Sequence, residues 1–117
     1  MYENLDIDAE KFLVPLENAG ALNPQIARLE KNSFADAIII VTATSRRNAR
    51  GIADAIRKFC RESGVKVLGV EGYDIADWIL VDCNDIIINI FLEEARNLYK
   101  LEELWDRSAR PRIGEYE

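Results

Sequence analysis

The sequence predicts a single α/β (α+β) domain built on a mixed five-stranded sheet, with helices packed mainly on one face. The prediction rests on a strand-like run followed by an amphipathic helix, a further strand, and two β-rich runs joined by a very short connection. The strand–helix–strand step implies a right-handed parallel crossover. The short connection adds an antiparallel hairpin, so the sheet must be mixed.

The first part of the chain predicts a short helix and a weak strand. Apolar residues between positions 5 and 19 recur near helical spacing, and Pro15 should start, kink or end that helix. Gly20 and the Asn23-Pro24 pair then break the chain. Residues 25–30 alternate only weakly and predict a short edge strand.

The central strand and the helix after it are the clearest elements. Residues 37–41 form a continuous run rich in β-branched side chains, which is typical of a strand covered on both faces. The Thr-Ala-Thr-Ser run at 42–45 supplies N-cap hydroxyls for the next helix. Apolar side chains in that helix recur at three- and four-residue spacing, and Gly64 ends it. Residues 65–70 predict another strand.

The two β-rich runs, 77–82 and 85–92, predict an antiparallel hairpin because only Cys83-Asn84 separates them. If Asp82 pairs with Asp85, the cross-strand partners on one side of the sheet are Leu80 with Ile87 and Trp78 with Asn89. The other side is aliphatic and should lie beneath helices. An amphipathic helix should follow and end at Trp105.

The Trp78 side of this hairpin combines an indole with aliphatic side chains, an amide and carboxylates. Such a half-polar face is more typical of a docking surface than of a core, and tryptophan is common in interface hot spots. Core packing remains about equally favoured for Trp78 itself, and it is the favoured interpretation for Trp105.

Composition excludes several functional classes. The net charge of −6 over 117 residues argues against a general nucleic-acid binder and suits a basic protein partner. The chain has no histidine, which removes the commonest general base and metal ligand. Cys60 and Cys83 predict unpaired thiols in a reducing compartment. With no membrane-spanning run or signal peptide, we expect a cytoplasmic protein without cofactor or bound metal.

Two stretches could carry other chemistry. The hydroxyl run at 42–45 precedes a helix and could bind phosphate, but it lacks a glycine-rich turn and a lysine. The acidic residues near it do not form a two-metal pair of carboxylates on one strand. Four arginines share one face of the central helix, namely Arg46, Arg50, Arg57 and Arg61. They predict either a solvated helix back or a basic patch that contacts RNA or an acidic partner.

A spaced set of residues in the second half of the chain matches a known pattern. Its members are Glu71-Gly72, Trp78, Asp82, Asp85, Phe91, Arg96, Tyr99, Leu101-Glu102 and Leu104-Trp105. In these residues, and in the strand and hydroxyl run at 36–45, the chain resembles the ribosomal silencing factor family, also called the Iojap family. The resemblance covers residues 34–105 at unchanged spacing. Asn89 replaces the family's usual histidine, Ala37-Ile38 its Tyr-Phe, and Ala43 its loop glycine.

The resemblance implies a nucleotidyltransferase-like fold without catalytic carboxylates, hence a protein that is not an enzyme. It implies binding to ribosomal protein fourteen of the large ribosomal subunit, which blocks subunit joining and represses translation. It also implies a homodimer when the protein is free, with organelle relatives serving large-subunit assembly. The domain should span 1–105, followed by a loosely held tail at 106–117.

The predicted contacts on the open sheet face are Trp78, Leu80, Asp82, Ile87 and Asn89, with Glu71, Arg96 and Tyr99 nearby. Two alternatives remain open. The first is an assembly factor that contacts rRNA through the arginine stripe. The second is an enzyme with a degenerate nucleotide site made by residues 42–45 with Asp82 and Asp85.

Overall fold

The protein forms the mixed five-stranded sheet that the sequence predicts. The computed structural model describes residues 8–30 and 34–95. Its elements are a turn of 3-10 helix at Ala9–Phe12, α1 (Leu13–Asn18), β1 (Leu22–Arg28), β2 (Ala37–Ala43), α2 (Arg46–Ser63), β3 (Gly69–Glu71), β4 (Trp78–Asp82) and β5 (Ile86–Leu92). The strand order is β1-β2-β5-β4-β3. β2 and β5 are parallel, and the other neighbouring strands are antiparallel.

The described helices bury their apolar sides against one face of the sheet. The aliphatic side of the hairpin, including Ile79, Val81 and Ile88, lies in one cluster with the buried side chains of α2. The cluster extends to the 3-10 turn through Phe12, whose ring meets Phe59 edge-on with 5.1 Å between centroids, and to α1 through Leu16. The prediction that helices pack on the aliphatic side is therefore confirmed for this part of the chain.

Both ends of α2 are capped as the sequence predicts. The Ser45 hydroxyl accepts a 2.9 Å hydrogen bond from the amide of Asn48, whose side-chain oxygen accepts the amide of Thr44 at 3.0 Å. At the other end Gly64 has φ +78°, and the Val65 amide reaches back to the Cys60 carbonyl at 2.8 Å. The hydroxyl run therefore serves as a helix cap.

The first helix and the weak edge strand are confirmed, but the third strand is shorter than predicted. Pro15 lies in the first turn of α1, where its missing N–H leaves no helical bond unmade. Instead of 65–70, β3 spans only Gly69–Glu71. Its partner β4 ends at Asp82, which pairs with Gly69, so the residues before Gly69 have no strand to pair with.

The hairpin register differs from the prediction by two residues. Trp78 pairs with Phe91, Leu80 with Asn89, and Asp82 with Ile87. The turn is centred on Asn84-Asp85, one residue later than predicted, and the Cys83 amide donates to the Ile86 carbonyl at 2.9 Å. Asn84 has φ +74°, and its amide donates to the Asp82 carboxylate at 2.8 Å. Because the shift is even, every side chain keeps its predicted face.

The helix predicted after the hairpin is described only at its start. Phe91 lies in β5, within the run 85–92 that the sequence predicts as a strand. Residues 93–95 are helical. Arg96, Tyr99, Trp105 and the predicted tail at 106–117 lie outside the described residues. Among the helices that are described, none has both the length and the apolar character to span a bilayer.

Candidate protein-docking face

The sheet face that points away from α2 carries the predicted contact residues. We call it the tryptophan face, and its hairpin members are Trp78, Leu80, Asp82, Ile87, Asn89 and Phe91. Strand pairing extends the same face to β2 through Ile38 and Ile40. It also extends to β3, because Glu71 is the partner of Leu80. The structure thus brings six of the eight predicted residues together, and the other two, Arg96 and Tyr99, are not described.

Trp78 is held in place by two neighbours on β5. Its rings stack on Phe91, its cross-strand partner, at 4.9 Å between centroids and 28° between planes. Its indole N–H donates to Oδ1 of Asn89, the diagonal neighbour, at 2.8 Å. The sequence predicts Asn89 opposite Trp78, whereas the observed register places Phe91 opposite Trp78 and Asn89 diagonally across from it. These two contacts fix the orientation of the indole in the protein alone.

The tryptophan face is closed at its centre, and this corrects the expectation of an open sheet. Asn89 and Phe91 have no exposed surface, and Ile87 is only 7% exposed. Ile38 and Ile40 are also buried, and Leu29, Trp78, Leu80 and Ala95 pack against this second apolar cluster. Ile87 and Asn89 are therefore covered by neighbouring side chains and offer almost no contact surface in this conformation.

Accessible surface remains along β4 and β3. Trp78, Leu80 and Asp82 are half-buried, and Glu71 is exposed. We call these four residues the β4 strip. The strip combines an indole and a leucine with two carboxylates at its margins, which is the composition expected of a small apolar anchor with an acidic rim. Of the six predicted contacts that the structure describes, these are the four that are exposed or half-buried.

The loop before β4 is fastened to α2 by two arginines. Arg50 donates from Nε to the Tyr73 carbonyl at 3.0 Å and from Nη2 to the Asp74 carbonyl at 2.6 Å. Arg46 donates from Nε to the Ile75 carbonyl at 3.0 Å, and Nη2 meets the Asp77 carboxylate at 2.6 Å. Two of the four arginines in the predicted stripe thus form hydrogen bonds with this loop. The sequence offered no signal for these long-range bonds.

Gly72 and Ile75 are features of the same loop that the sequence did not single out as functional. Gly72 has φ +81°, and a Cβ there would lie 2.2 Å from the Trp78 carbonyl oxygen. Gly72 is therefore needed for the close approach of the loop to β4. Ile75 is 69% exposed.

The turn beyond the strip carries a perturbed carboxyl group. Burial, and next the charge of Asp36, raise the pKa of Asp85 above its ordinary value. The backbone explains this proximity, because the Asp85 carbonyl accepts the amides of Asp36 at 2.8 Å and of Ala37 at 3.2 Å. The two acidic side chains are therefore brought together where β2 begins beside β5.

The degenerate nucleotide site is not assembled. Strand pairing places Thr42 in the row of Phe91 and Trp78, whereas Asp82 lies in the row of Ile87 and Ile38. Thr42 and Asp82 are thus four residues apart along the sheet, roughly 13 Å at the rise of a strand. Within residues 8–30 and 34–95, no cluster of acidic or cysteine side chains is suited to hold a metal ion.

By class, the chain is a small α+β protein whose mixed sheet carries a tryptophan and two carboxylates on the face away from α2. Comparison with known sequences gives the family. The sequence model described as "Ribosomal silencing factor during starvation" matches residues 4–117, and the chain belongs to that family. The resemblance found in the sequence is thereby confirmed.

Individual relatives agree with this assignment. The ribosomal silencing factor RsfS of Haemophilus influenzae is 41% identical over 75 residues, which are 64% of this chain and 74% of that protein. The factor of Halalkalibacterium halodurans is 34% identical, and the match covers 62% of each chain, less than two thirds of that relative's length. A mouse protein named for mitochondrial assembly of the ribosomal large subunit is 31% identical over 77 residues, 62% of this chain and 33% of its own.

Solved structures share the fold. A crystal structure of a Chromobacterium violaceum protein superposes with a TM-score of 0.79 at 24% identity, covering 90% of this chain and 91% of the other. A Bacillus halodurans crystal structure gives a TM-score of 0.74 at 26% identity, covering 82% and 90%. The architecture described above is therefore common to proteins of distant sequence.

Proposed function

We propose that the protein represses translation by binding ribosomal protein fourteen of the large ribosomal subunit through the β4 strip, where it blocks joining of the small subunit. The observation that carries this proposal is the half-buried indole of Trp78, fixed by Asn89 and Phe91 at the margin of a sealed apolar cluster. A rigid aromatic side chain loses little conformational entropy on binding, which suits an interface anchor.

Charge supports a basic ribosomal protein as the partner. The chain carries a net charge of −6, and Glu71 and Asp82 flank the apolar part of the strip. Carboxylates at the rim of an interface steer a basic protein toward it and disfavour acidic competitors. Repression then needs no chemistry, because a bound protein of this size excludes the other subunit by its volume.

The direct test is co-sedimentation of the full chain with separated ribosomal subunits. We expect binding to the large subunit, and Trp78→Ala should weaken it by about 2 kcal/mol, or about 30-fold in Kd. If a folded Trp78→Ala protein binds the large subunit as tightly as the wild type, the β4 strip is not the binding surface. Cross-linking of the bound protein would identify the ribosomal protein it contacts.

A matched pair of charge substitutions makes this test sharper. Leu80→Arg places a cation in the strip, whereas Val14→Arg places one on an exposed position of α1, away from the tryptophan face. Repulsion of a basic partner should abolish binding only for Leu80→Arg. Equal binding by the two variants would show that the partner meets another surface. In subunit-joining and translation assays, Val14→Arg should still repress and Leu80→Arg should not.

The resemblance also leads us to propose a cytoplasmic location and a homodimer when the protein is free. If the dimer uses the β4 strip, the large subunit and the second copy compete for one surface. Analytical ultracentrifugation of the wild-type protein and of Leu80→Arg would test this. A dimer that persists in the variant would place the self-contact elsewhere.

Large-subunit assembly is the second candidate, because the mouse relative is named for that process. An assembly factor would bind immature particles, so its loss should cause large-subunit precursors to accumulate. In the rRNA-contacting version, Arg57 and Arg61 would make the contact, because Arg46 and Arg50 are hydrogen-bonded to the loop before β4. A steep salt dependence of binding to protein-free rRNA would favour it.

A further inference from the structure

The two cysteines lie together although they are far apart in sequence. Cys60 is in the last turns of α2, and Cys83 lies between β4 and β5. Their sulfur atoms are 3.6 Å apart, both thiols are free, and the two residues are 0% and 4% exposed. The sequence predicted unpaired thiols, and it had no means of predicting that they touch.

The two sulfur atoms are in contact but not bonded. A disulfide holds its sulfurs at about 2.05 Å, so the two atoms must approach by roughly 1.5 Å. The backbone at both cysteines is hydrogen-bonded: the Cys60 carbonyl accepts the Val65 amide at 2.8 Å, and the Cys83 amide donates to the Ile86 carbonyl at 2.9 Å. Both cysteines are therefore held on backbone with defined hydrogen bonds.

We propose that Cys60 and Cys83 form an oxidisable dithiol that hydrogen peroxide converts into an intramolecular disulfide. One sulfur, as thiolate, attacks a peroxide oxygen and becomes a sulfenic acid, and the leaving hydroxide takes up the proton lost from that thiol to give water. The second thiol then attacks the sulfenic sulfur, the S–S bond forms, and a second water leaves. Two thiols are oxidised and one peroxide is reduced.

The contact between the thiols shifts their pKa values in opposite directions. The hydrogen bond between the sulfurs lowers the pKa of Cys60, and the same bond, with burial, raises the pKa of Cys83. Because Cys60 is fully buried, the reaction waits for local opening between the end of α2 and the β4–β5 turn.

The disulfide would tie α2 to the turn that follows Asp82, at one end of the β4 strip. Its formation does not depend on the function proposed above, because it requires only the two thiols and an oxidant. The chemistry predicts a protein that is more stable when oxidised. Cross-linking these two positions restricts the unfolded chain over the 24-residue segment from Cys60 to Cys83.

The test uses the full chain, reduced and then treated with hydrogen peroxide. Remaining thiols are blocked with iodoacetamide in denaturant before intact-mass measurement and peptide mapping. We expect a monomer that has lost two hydrogens, takes up no label, and yields one peptide pair joined through Cys60 and Cys83. Its Tm should rise by on the order of 10 °C and fall back with dithiothreitol.

Cys60→Ala and Cys83→Ala serve as matched controls, and neither should show the rise in Tm on oxidation. Two labelled thiols after peroxide treatment, a disulfide between chains, or sulfinic acid at one cysteine would each overturn the proposal. The peptide map of the wild-type protein decides the question even if a variant does not fold.

Discussion

The indole N–H of Trp78 donates a 2.8 Å hydrogen bond to the side-chain oxygen of Asn89, two residues from its cross-strand partner Phe91. Asn89 is fully buried, and its Nδ2 group has no hydrogen-bond partner among the described residues. The hydrogen bond to its side-chain oxygen holds the tryptophan in one orientation beside the accessible strip.

Trp78→Phe tests this bond. The phenyl ring can still stack on Phe91, but the buried Asn89 oxygen loses its donor, so the free energy of unfolding should fall by about 1–3 kcal/mol. Urea denaturation measures the change. In the Asn89→Leu background the same substitution should cost less, because no acceptor is left unpaired. Equal costs in the two backgrounds would show that the bond contributes nothing.

Gly72→Ala tests the approach of the loop to β4. The new Cβ would lie 2.2 Å from the Trp78 carbonyl oxygen at a backbone with φ +81°, so we expect a loss of at least about 2 kcal/mol. Gly51→Ala is the matched control, since that helical position is exposed and has no atom within 4 Å. It should stabilise the protein by about 0.5–1 kcal/mol. Thermal unfolding of both variants distinguishes strain from a general effect of glycine replacement.

Arg50→Lys tests the fastening of the loop to α2. Lysine keeps the charge but cannot reproduce the two bonds to the Tyr73 and Asp74 carbonyls, so we expect a loss of about 1–2 kcal/mol. Amide exchange at residues 72–77 should accelerate. Arg57→Lys, on an exposed position of the same helix, should change neither quantity. Unchanged exchange in Arg50→Lys would mean that the loop is held by other contacts.

Asp85→Asn tests the electrostatics of the turn. Burial and Asp36 raise the pKa of Asp85 in the folded state, so its carboxylate form opposes folding. That cost is absent at acidic pH, where the group is protonated, and appears as pH rises through the folded pKa. The variant should therefore be more stable than the wild type at pH 7, with the difference vanishing in acid.

Asp8→Asn provides the opposite case. The Glu10 amide, and next the Arg28 guanidinium, lower the pKa of Asp8, so its carboxylate favours folding. This contribution is present above the unfolded pKa and is lost as pH falls through the folded pKa. Asp8→Asn should be less stable than the wild type at pH 7. The free energy of unfolding of the wild type and of both variants should be measured from pH 3 to pH 8. As pH rises, Asp85→Asn should become more stable than the wild type and Asp8→Asn less stable. If both variants deviate from the wild type in the same direction, or if neither deviates, the assignments are contradicted.

The docking face shows where inference from sequence succeeds and where it stops. Alternation of apolar and polar side chains placed Trp78, Leu80 and Asp82 on one face and the aliphatic residues on the other, and both placements are correct. The register was wrong because it depended on which two residues make the turn. That choice was settled by Asn84 adopting φ +74° and by the Asp82 carboxylate binding its amide.

By itself, the sequence determined the mixed sheet, the caps of α2, the two faces of the hairpin and the family, because each follows from local spacing or from a motif. Only the tertiary structure decided that Asn89 and Ile87 are buried, that Arg46 and Arg50 fasten a loop, and that Cys60 meets Cys83. The hydrogen bonds and the thiol contact among them join residues 11 to 31 positions apart, in a fold whose strand order is not the chain order. No local pattern encodes such contacts, since they depend on how separate elements pack against one another.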